Sequence, residues 1–170
     1  GIAAGFLPDA YPEFGQCVHK IATHPDAPGR LYIQNHGGCP DHPGIGVLRS
    51  DDHGHTWRSI ADGLPSDFGF PIVVHPHDPD TIYVVPLDPS TRTCPDNKPA
   101  VWRSNNGGDK WKRLSKGFPK KESYFTILRD AMTIDHLKSP SLYFGTTTGQ
   151  LWIGRESGDQ WDCLFDSLPP

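Results

Sequence analysis

The sequence predicts an all-β chain built from repeated units of short strands, and three observations predict it. The first is a phrase, Ser50-Asp51-Asp52-His53-Gly54-His55-Thr56-Trp57, whose variants return as Ser104-Asn105-Asn106-Gly107-Gly108-Asp109-Lys110-Trp111 and Gly154-Arg155-Glu156-Ser157-Gly158-Asp159-Gln160-Trp161. The tryptophans at 57, 111 and 161 set a period of about 50 residues, the size of one propeller blade or solenoid unit. The second is that other elements keep the same beat. Leu31-Tyr32, Ile82-Tyr83 and Leu142-Tyr143 each follow a proline turn; Val47-Leu48-Arg49-Ser50, Val101-Trp102-Arg103-Ser104 and Leu151-Trp152-Ile153-Gly154 each run into a box; Gly63-Leu64-Pro65, Gly117-Phe118-Pro119 and Ser167-Leu168-Pro169 each follow one. The third is composition: 18 Gly and 18 Pro in 170 residues are too many for long helices, where each Gly costs about 1 kcal/mol and each Pro about 3 kcal/mol. Short strands between punctuated turns remain.

A further Phe6-Leu7-Pro8 opens the chain with no box before it. Residues 1–8 are therefore expected to be the tail of a preceding unit, with units at 9–65, 66–119 and 120–170. No apolar run approaches the ~20 residues of a membrane span, and no membrane is expected as a partner. A net charge of −4 with scattered Lys and Arg gives no basic stripe and argues against nucleic acid. Cys17, Cys39, Cys94 and Cys163 form no CxxC pair; they fix neither a zinc site nor a redox compartment.

Each box has its own physical logic. Ser, Asp or Asn side chains accept backbone N–H groups, Gly supplies a positive-φ position, and the Trp packs beneath the turn. The first box is complete. The second has Asn106 for Asp52, and the third has Glu156 and lacks the leading serine, so the later turns are expected to be looser. Structural roles are expected for Ser50, Asp52, Gly54 and Trp57, for Ser104, Asn106, Gly108 and Trp111, and for Glu156, Gly158 and Trp161. His53 and His55 are read as solvated.

The pattern resembles the Asp-box, or BNR-repeat, β-propellers, and is most similar to bacterial BNR-repeat proteins labelled glycosyl hydrolase-like. The resemblance runs through Gly15-Gln16-Cys17-Val18-His19-Lys20, Gln34-Asn35-His36-Gly37-Gly38, the first box, Phe68-Gly69-Phe70-Pro71, His75-Pro76-His77-Asp78-Pro79-Asp80 and Leu128-Arg129-Asp130-Ala131-Met132. It implies four-stranded antiparallel blades around a channel, the boxes lying on the outer lower rim. It leaves activity open, because this fold hosts enzymes and binders alike. Within such blades the innermost strands are expected at 16–23, 70–75 and 126–135, the second at 30–34, 81–85 and 141–146, the third at 46–50, 100–104 and 150–154, and the outermost at 56–60, 110–114 and 160–165.

Ligands are then expected at the upper ends of the inner strands and at the loops that break the repeat. Two connections are expanded, 34–45 and 86–99, carrying His36, Asp41, His42, Asp88, Arg92, Asp96 and Lys98. Long irregular loops in a compact repeat are more often functional than idle. On the inner strands His19, Arg129 and Asp130 are polar where an apolar residue is ordinary; Arg129 pairing with Asp130 is the structural alternative. Gln16, Glu13, Tyr11 and Tyr124 complete the ligand-binding candidates.

No cofactor is expected and no metal is assigned. His75-Pro76-His77-Asp78 has a counterpart, His24-Pro25-Asp26, which turn chemistry explains. His36, Cys39, Asp41 and His42 are a weak metal set whose spacing fits no established zinc pattern. A non-catalytic module binding a protein or small ligand is the favoured function, with a glycan-processing enzyme as the alternative. Glycoside cleavage needs two carboxylates across the bond, drawn here from Glu13, Asp41, Asp88, Asp96, Glu122 and Asp130, yet every Trp belongs to the repeat and none is left as a sugar platform. Three blades are fewer than a closed ring needs. The expected partners are therefore further blades in the same polypeptide or a second copy, beside a protein or glycan ligand.

Overall fold

The computed structural model describes residues 17–37 and 43–169. The segments expected at 1–8 and 9–16 lie outside these residues. Every strand belongs to one of three four-stranded antiparallel sheets. The first contains β1 (Val18–Thr23), β2 (Leu31–Asn35), β3 (Val47–Ser50) and β4 (Arg58–Ser59). The second contains β5 (Gly69–His75), β6 (Asp78–Pro86), β7 (Val101–Ser104) and β8 (Lys112–Leu114). The third contains β9 (Met132–Ile134), β10 (Leu142–Gly145), β11 (Leu151–Arg155) and β12 (Gln160–Phe165). Strands in each sheet pair in chain order, so each unit is a meander. The first strands, β1, β5 and β9, approach one another between sheets, as innermost strands must.

Apolar alternation places the core between neighbouring sheets. Tyr32, Val47 and Ile60 of the first pack on Ile72, Val74, Ile82 and Val84 of the second. Phe70, Val73, Tyr83, Val101 and Leu114 of the second pack with Met132, Leu142, Phe144, Trp152 and Trp161 of the third.

The boxes connect the third strand to the fourth, as expected. Ser50 Oγ accepts the Gly54 N–H at 2.8 Å and donates to Asp52 Oδ1 at 2.8 Å. Asp52 in turn accepts the Thr56 N–H at 2.8 Å and its hydroxyl at 2.6 Å. Gly54 at φ 87° closes the turn. The second box is no looser, contrary to expectation: Gly108 N donates to Ser104 Oγ at 2.8 Å and Lys110 N to Asn106 Oδ1 at 2.9 Å. An amide oxygen accepts these bonds in the same geometry as a carboxylate, so Asn106 costs the turn nothing. The third box does lose the network and becomes a short 3-10 turn, Glu156–Gly158, with no side-chain cap.

All three boxes hold the chain in the same way. The fourth box residue donates its N–H to the chain just before or at the start of the second strand: His53 to Gly29, Gly107 to Asp80 and Ser157 to Pro140, at 2.9, 2.8 and 3.1 Å. Arginines on the third strand then reach the next box, Arg49 Nη1 to the Gly107 carbonyl at 3.2 Å and Arg103 Nη1 to the Ser157 carbonyl at 3.1 Å. The matching residue in the third sheet is Ile153.

Two further expectations are corrected. The rings of Trp57 and Trp111 are only half-buried, whereas Trp161 is 1% exposed. Trp57 still lies under its own turn and donates to the Gly54 carbonyl at 3.0 Å, while Trp111 donates across to Ile60 of the first sheet at 2.8 Å. The inner strand expected at 126–135 shrinks to Met132–Ile134, because Ala131 N turns back to the Leu128 carbonyl at 3.1 Å. Residues ahead of that turn are held elsewhere: Thr147 N donates to the Thr126 carbonyl and Ser123 N to the Asn97 carbonyl.

Candidate functional site

At one end of β1 and β5 the side chains are polar and aromatic where the rest of the inner strands are apolar. Pairing slips between Val18 and Lys20, whose partners on β2 are the adjacent Asn35 and Gln34, and His19 is the extra residue. Such a bulge re-aims a side chain out of the regular alternation. His19 is 6% exposed. Its Nδ1–H donates to the Gly69 carbonyl at 2.6 Å; a carbonyl only accepts, so the neutral ring keeps its lone pair on Nε2. Gly69 is required there, since a Cβ would stand 2.7 Å from the Val85 carbonyl oxygen and 3.3 Å from Gln34 Oε1.

Aromatic rings line this spot. The His19 ring lies 4.7 Å from that of Phe70 and 5.3 Å, edge-on, from that of His36, which in turn meets Phe68 at 5.3 Å. Burial pushes the His19 pKa down; the Gly69 hydrogen bond opposes this, and the positive fields of Arg129, His36 and Arg92 add to it. His19 is consequently a neutral base at physiological pH. The exposed guanidinium of Arg129 covers Phe70, with Cζ 5.3 Å from the ring centroid.

The structure thus gathers His19, His36 and Arg129, with Arg92 near enough to act on His19 electrostatically. Arg129 and Asp130 do not pair with each other: Asp130 binds Lys20 of the first sheet. The turn at 128–131 points these two neighbouring side chains to different partners. Arg92 sits at φ 58° in the 86–99 loop, with its N–H on the Asp88 carbonyl at 2.7 Å. Tyr124 is exposed. Tyr11, Glu13, Gln16, Cys39, Asp41 and His42 lie outside the described residues.

The other polar candidates have structural partners. Asp88 Oδ1 accepts the N–H groups of Ser90 and Thr91, both at 2.9 Å, and the Ser90 hydroxyl. The Ser90 hydroxyl and these two amides hold its carboxyl below the usual range. Asp96 lies inside a 3-10 turn at 95–97, at φ 55°. His75 Nδ1 accepts the His77 N–H at 3.2 Å, just as His24 Nδ1 accepts that of Asp26 at 3.1 Å, so both motifs are turns. His53 and His55 are exposed.

Sequence reasoning passed over Cys17, Lys20, Phe68 and Phe70. Cys17 Sγ and one ring nitrogen each of His19 and His36 lie within 4.8 Å of one another. These are the described residues that could hold a metal ion as a group.

No family model matches the sequence, and no curated protein matches it. Solved structures do. The chain is similar to the GH74 xyloglucanase from Xanthomonas campestris, at 18% identity and a TM-score of 0.57, over 88% of this chain and 24% of that one. It is similar to an ancestral GH74 enzyme at 15% identity and a TM-score of 0.58, over 85% and 18% of the two chains. It is also similar to YCF48 from Cyanidioschyzon merolae at 18% identity and a TM-score of 0.52, over 93% and 42%. The chain therefore spans well under two thirds of these proteins' lengths. Likeness at this identity shows fold alone. The three antiparallel sheets are blades of a β-propeller.

Proposed function

We propose that this chain is a non-catalytic binding module of the Asp-box, or BNR-repeat, propeller kind, with residues 9–65, 66–119 and 120–170 as successive blades, and that it takes an anionic ligand at the end of β1 and β5. One observation carries the reading. Arg30, Arg49, Arg58, Arg103 and Arg155 all bind carboxylates, and Arg113 binds Ser115. Arg92 and Arg129 have neither a carboxylate nor a hydroxyl partner for their guanidinium groups among the described residues, and both flank the neutral His19. An exposed guanidinium on an aromatic face is preorganised for bidentate capture of a carboxylate, sulfate or phosphate. Tyr124 would supply ligand contact beside it, and Gln16, Glu13 and Tyr11 would belong to the same face.

A screen of acidic peptides, uronic and sialic acid glycans and phosphorylated metabolites tests this. Binding should weaken with added salt, and an Arg92→Ala, Arg129→Ala double variant should lose it by about 10-fold or more. Unchanged affinity in the double variant would refute the assignment. The glycan-processing alternative is tested on the same panel by hydrolysis. It is disfavoured because Asp88 is consumed by its own loop and Asp130 by Lys20, leaving neither poised as a proton donor. For partners, Leu164, Phe165 and Leu168 stand exposed on and after β12. Further blades of the same polypeptide, or a second copy, would cover them; light scattering distinguishes the copy from the monomer.

A further inference from the structure

We propose that Cys17, His19 and His36 form a zinc site at the mouth of the propeller, independent of whether an anionic ligand binds beside it. The three ligand atoms already lie within 4.8 Å of one another. In a tetrahedral site with Zn–S about 2.3 Å and Zn–N about 2.0–2.1 Å, they would stand roughly 3.4–3.6 Å apart. Closure by about 1 Å falls on Cys17 and His36, which are exposed, while buried His19 is held by its hydrogen bond to Gly69.

Three features show a site built for such a role. His19 is held by its Nδ1–H on the Gly69 carbonyl, the outer hydrogen bond by which a metal-bound histidine is oriented and its other nitrogen presented. The His19 ring makes no second hydrogen bond among the described residues. The remaining two ligands are joined directly, because His36 N donates to the Cys17 carbonyl at 2.9 Å, and the bulge at His19 swings the third toward them.

The donor set selects the metal. One thiolate with two imidazoles suits zinc, whereas calcium and magnesium require oxygen donors. Three protein ligands leave a fourth position open. The nearby cations Arg92 and Arg129 favour an anion in that position. The weak loop set His36, Cys39, Asp41 and His42 shares only His36 with this site.

Cobalt(II) titration of the reduced, metal-free 170-residue chain tests the proposal. Stoichiometric binding with a thiolate-to-cobalt charge-transfer absorption and intense tetrahedral d–d bands is expected, reversed by zinc. Cys17→Ser should abolish the charge-transfer band, and His36→Ala should weaken affinity on the order of 10–100-fold or more. Both residues are exposed, so circular dichroism of the two variants should match that of the parent. Cys163→Ser should leave the spectrum unchanged. Absence of stoichiometric cobalt binding would overturn the site, as would a band that survives Cys17→Ser. A band lost in Cys39→Ser but kept in Cys17→Ser would move the metal to the loop and equally overturn it.

Discussion

Removing the indole of Trp161 is the most direct probe of how the blades are held together. This ring is 1% exposed and stacks on Phe118 at 4.9 Å, with Phe144 at 5.2 Å. It also fits over Gly154, where a Cβ would come within 2.6 Å of the indole. Truncating a Trp so enclosed costs about 3–5 kcal/mol. The Trp161 N–H finds no partner among the described residues, and losing a buried unpaired donor returns about 1–3 kcal/mol. Trp161→Ala should therefore fall near the lower end, about 3 kcal/mol. With a urea m-value of about 2 kcal/mol/M, the midpoint should drop by about 1.5 M. Trp161→Phe keeps an aromatic body against Phe118 and discards the orphaned N–H, and should change stability by less than about 1 kcal/mol. Trp57→Ala, at a half-exposed ring with its N–H on Gly54, should cost less than Trp161→Ala. Urea unfolding followed by far-UV circular dichroism measures all three. Equal costs for Trp57→Ala and Trp161→Ala, or a Trp161→Phe chain as weak as Trp161→Ala, would refute the packing argument.

Acid should loosen the first box in a defined window. The Thr56 hydroxyl, the Thr56 N–H and the Ser50 hydroxyl hold the Asp52 carboxyl down to about 2. A depressed native pKa contributes stability that is present above the unfolded value, about 3.9, and lost as pH falls through about 2. Asp52→Asn should remove that dependence yet keep the turn at neutral pH, as Asn106 does in the second box; a pH series of thermal melts compares the two chains. Thiol labelling of metal-free native protein should modify exposed Cys17 and Cys163 but spare Cys94, buried with its thiol pushed up to about 11; Cys94 should react only in denaturant, as peptide mass mapping would show. Gly69→Ala forces a Cβ to 2.7 Å from the Val85 carbonyl and should cost about 1–3 kcal/mol in urea unfolding.

The fold was legible because repetition separates structure from accident. A single Ser-x-Asp-x-Gly turn is common, but one such turn and two variants of it at a fixed beat, each before a Trp, point to one unit copied. The hydrogen bonds of residues 53, 107 and 157 are the physical form of that beat. What recurrence could not give was the degree of each copy. Asn106 reads as a weakened box, yet an amide oxygen accepts what a carboxylate accepts. The third box is looser as expected: without a leading serine the turn lacks its central acceptor and falls back on backbone bonds. The inner strand of the third unit was overestimated for a related reason. Its apolar pattern continues through Ile127 and Leu128, but the Leu128–Ala131 turn ends the ladder and aims Arg129 and Asp130 apart.

The site was half legible for the opposite reason, since functional residues are those that do not recur. His19, His36 and Arg129 stood out as polar exceptions on an otherwise repeated frame, and the structure brings them together. Cys17 carries no metal signal along the chain, because it stands in no CxxC-type spacing. Its neighbours in space come instead from pairing across strands: His36 is nineteen positions on and bonded to its carbonyl, and His19 is redirected by a bulge that leaves no mark in the hydrophobic pattern. The redirected ring is then received by Gly69 of the next sheet, where a Cβ would run into the Val85 carbonyl. The glycine in Phe68-Gly69-Phe70 is a further local sign of the site. Its meaning depended on a histidine 50 residues away, which no reading along the chain could supply.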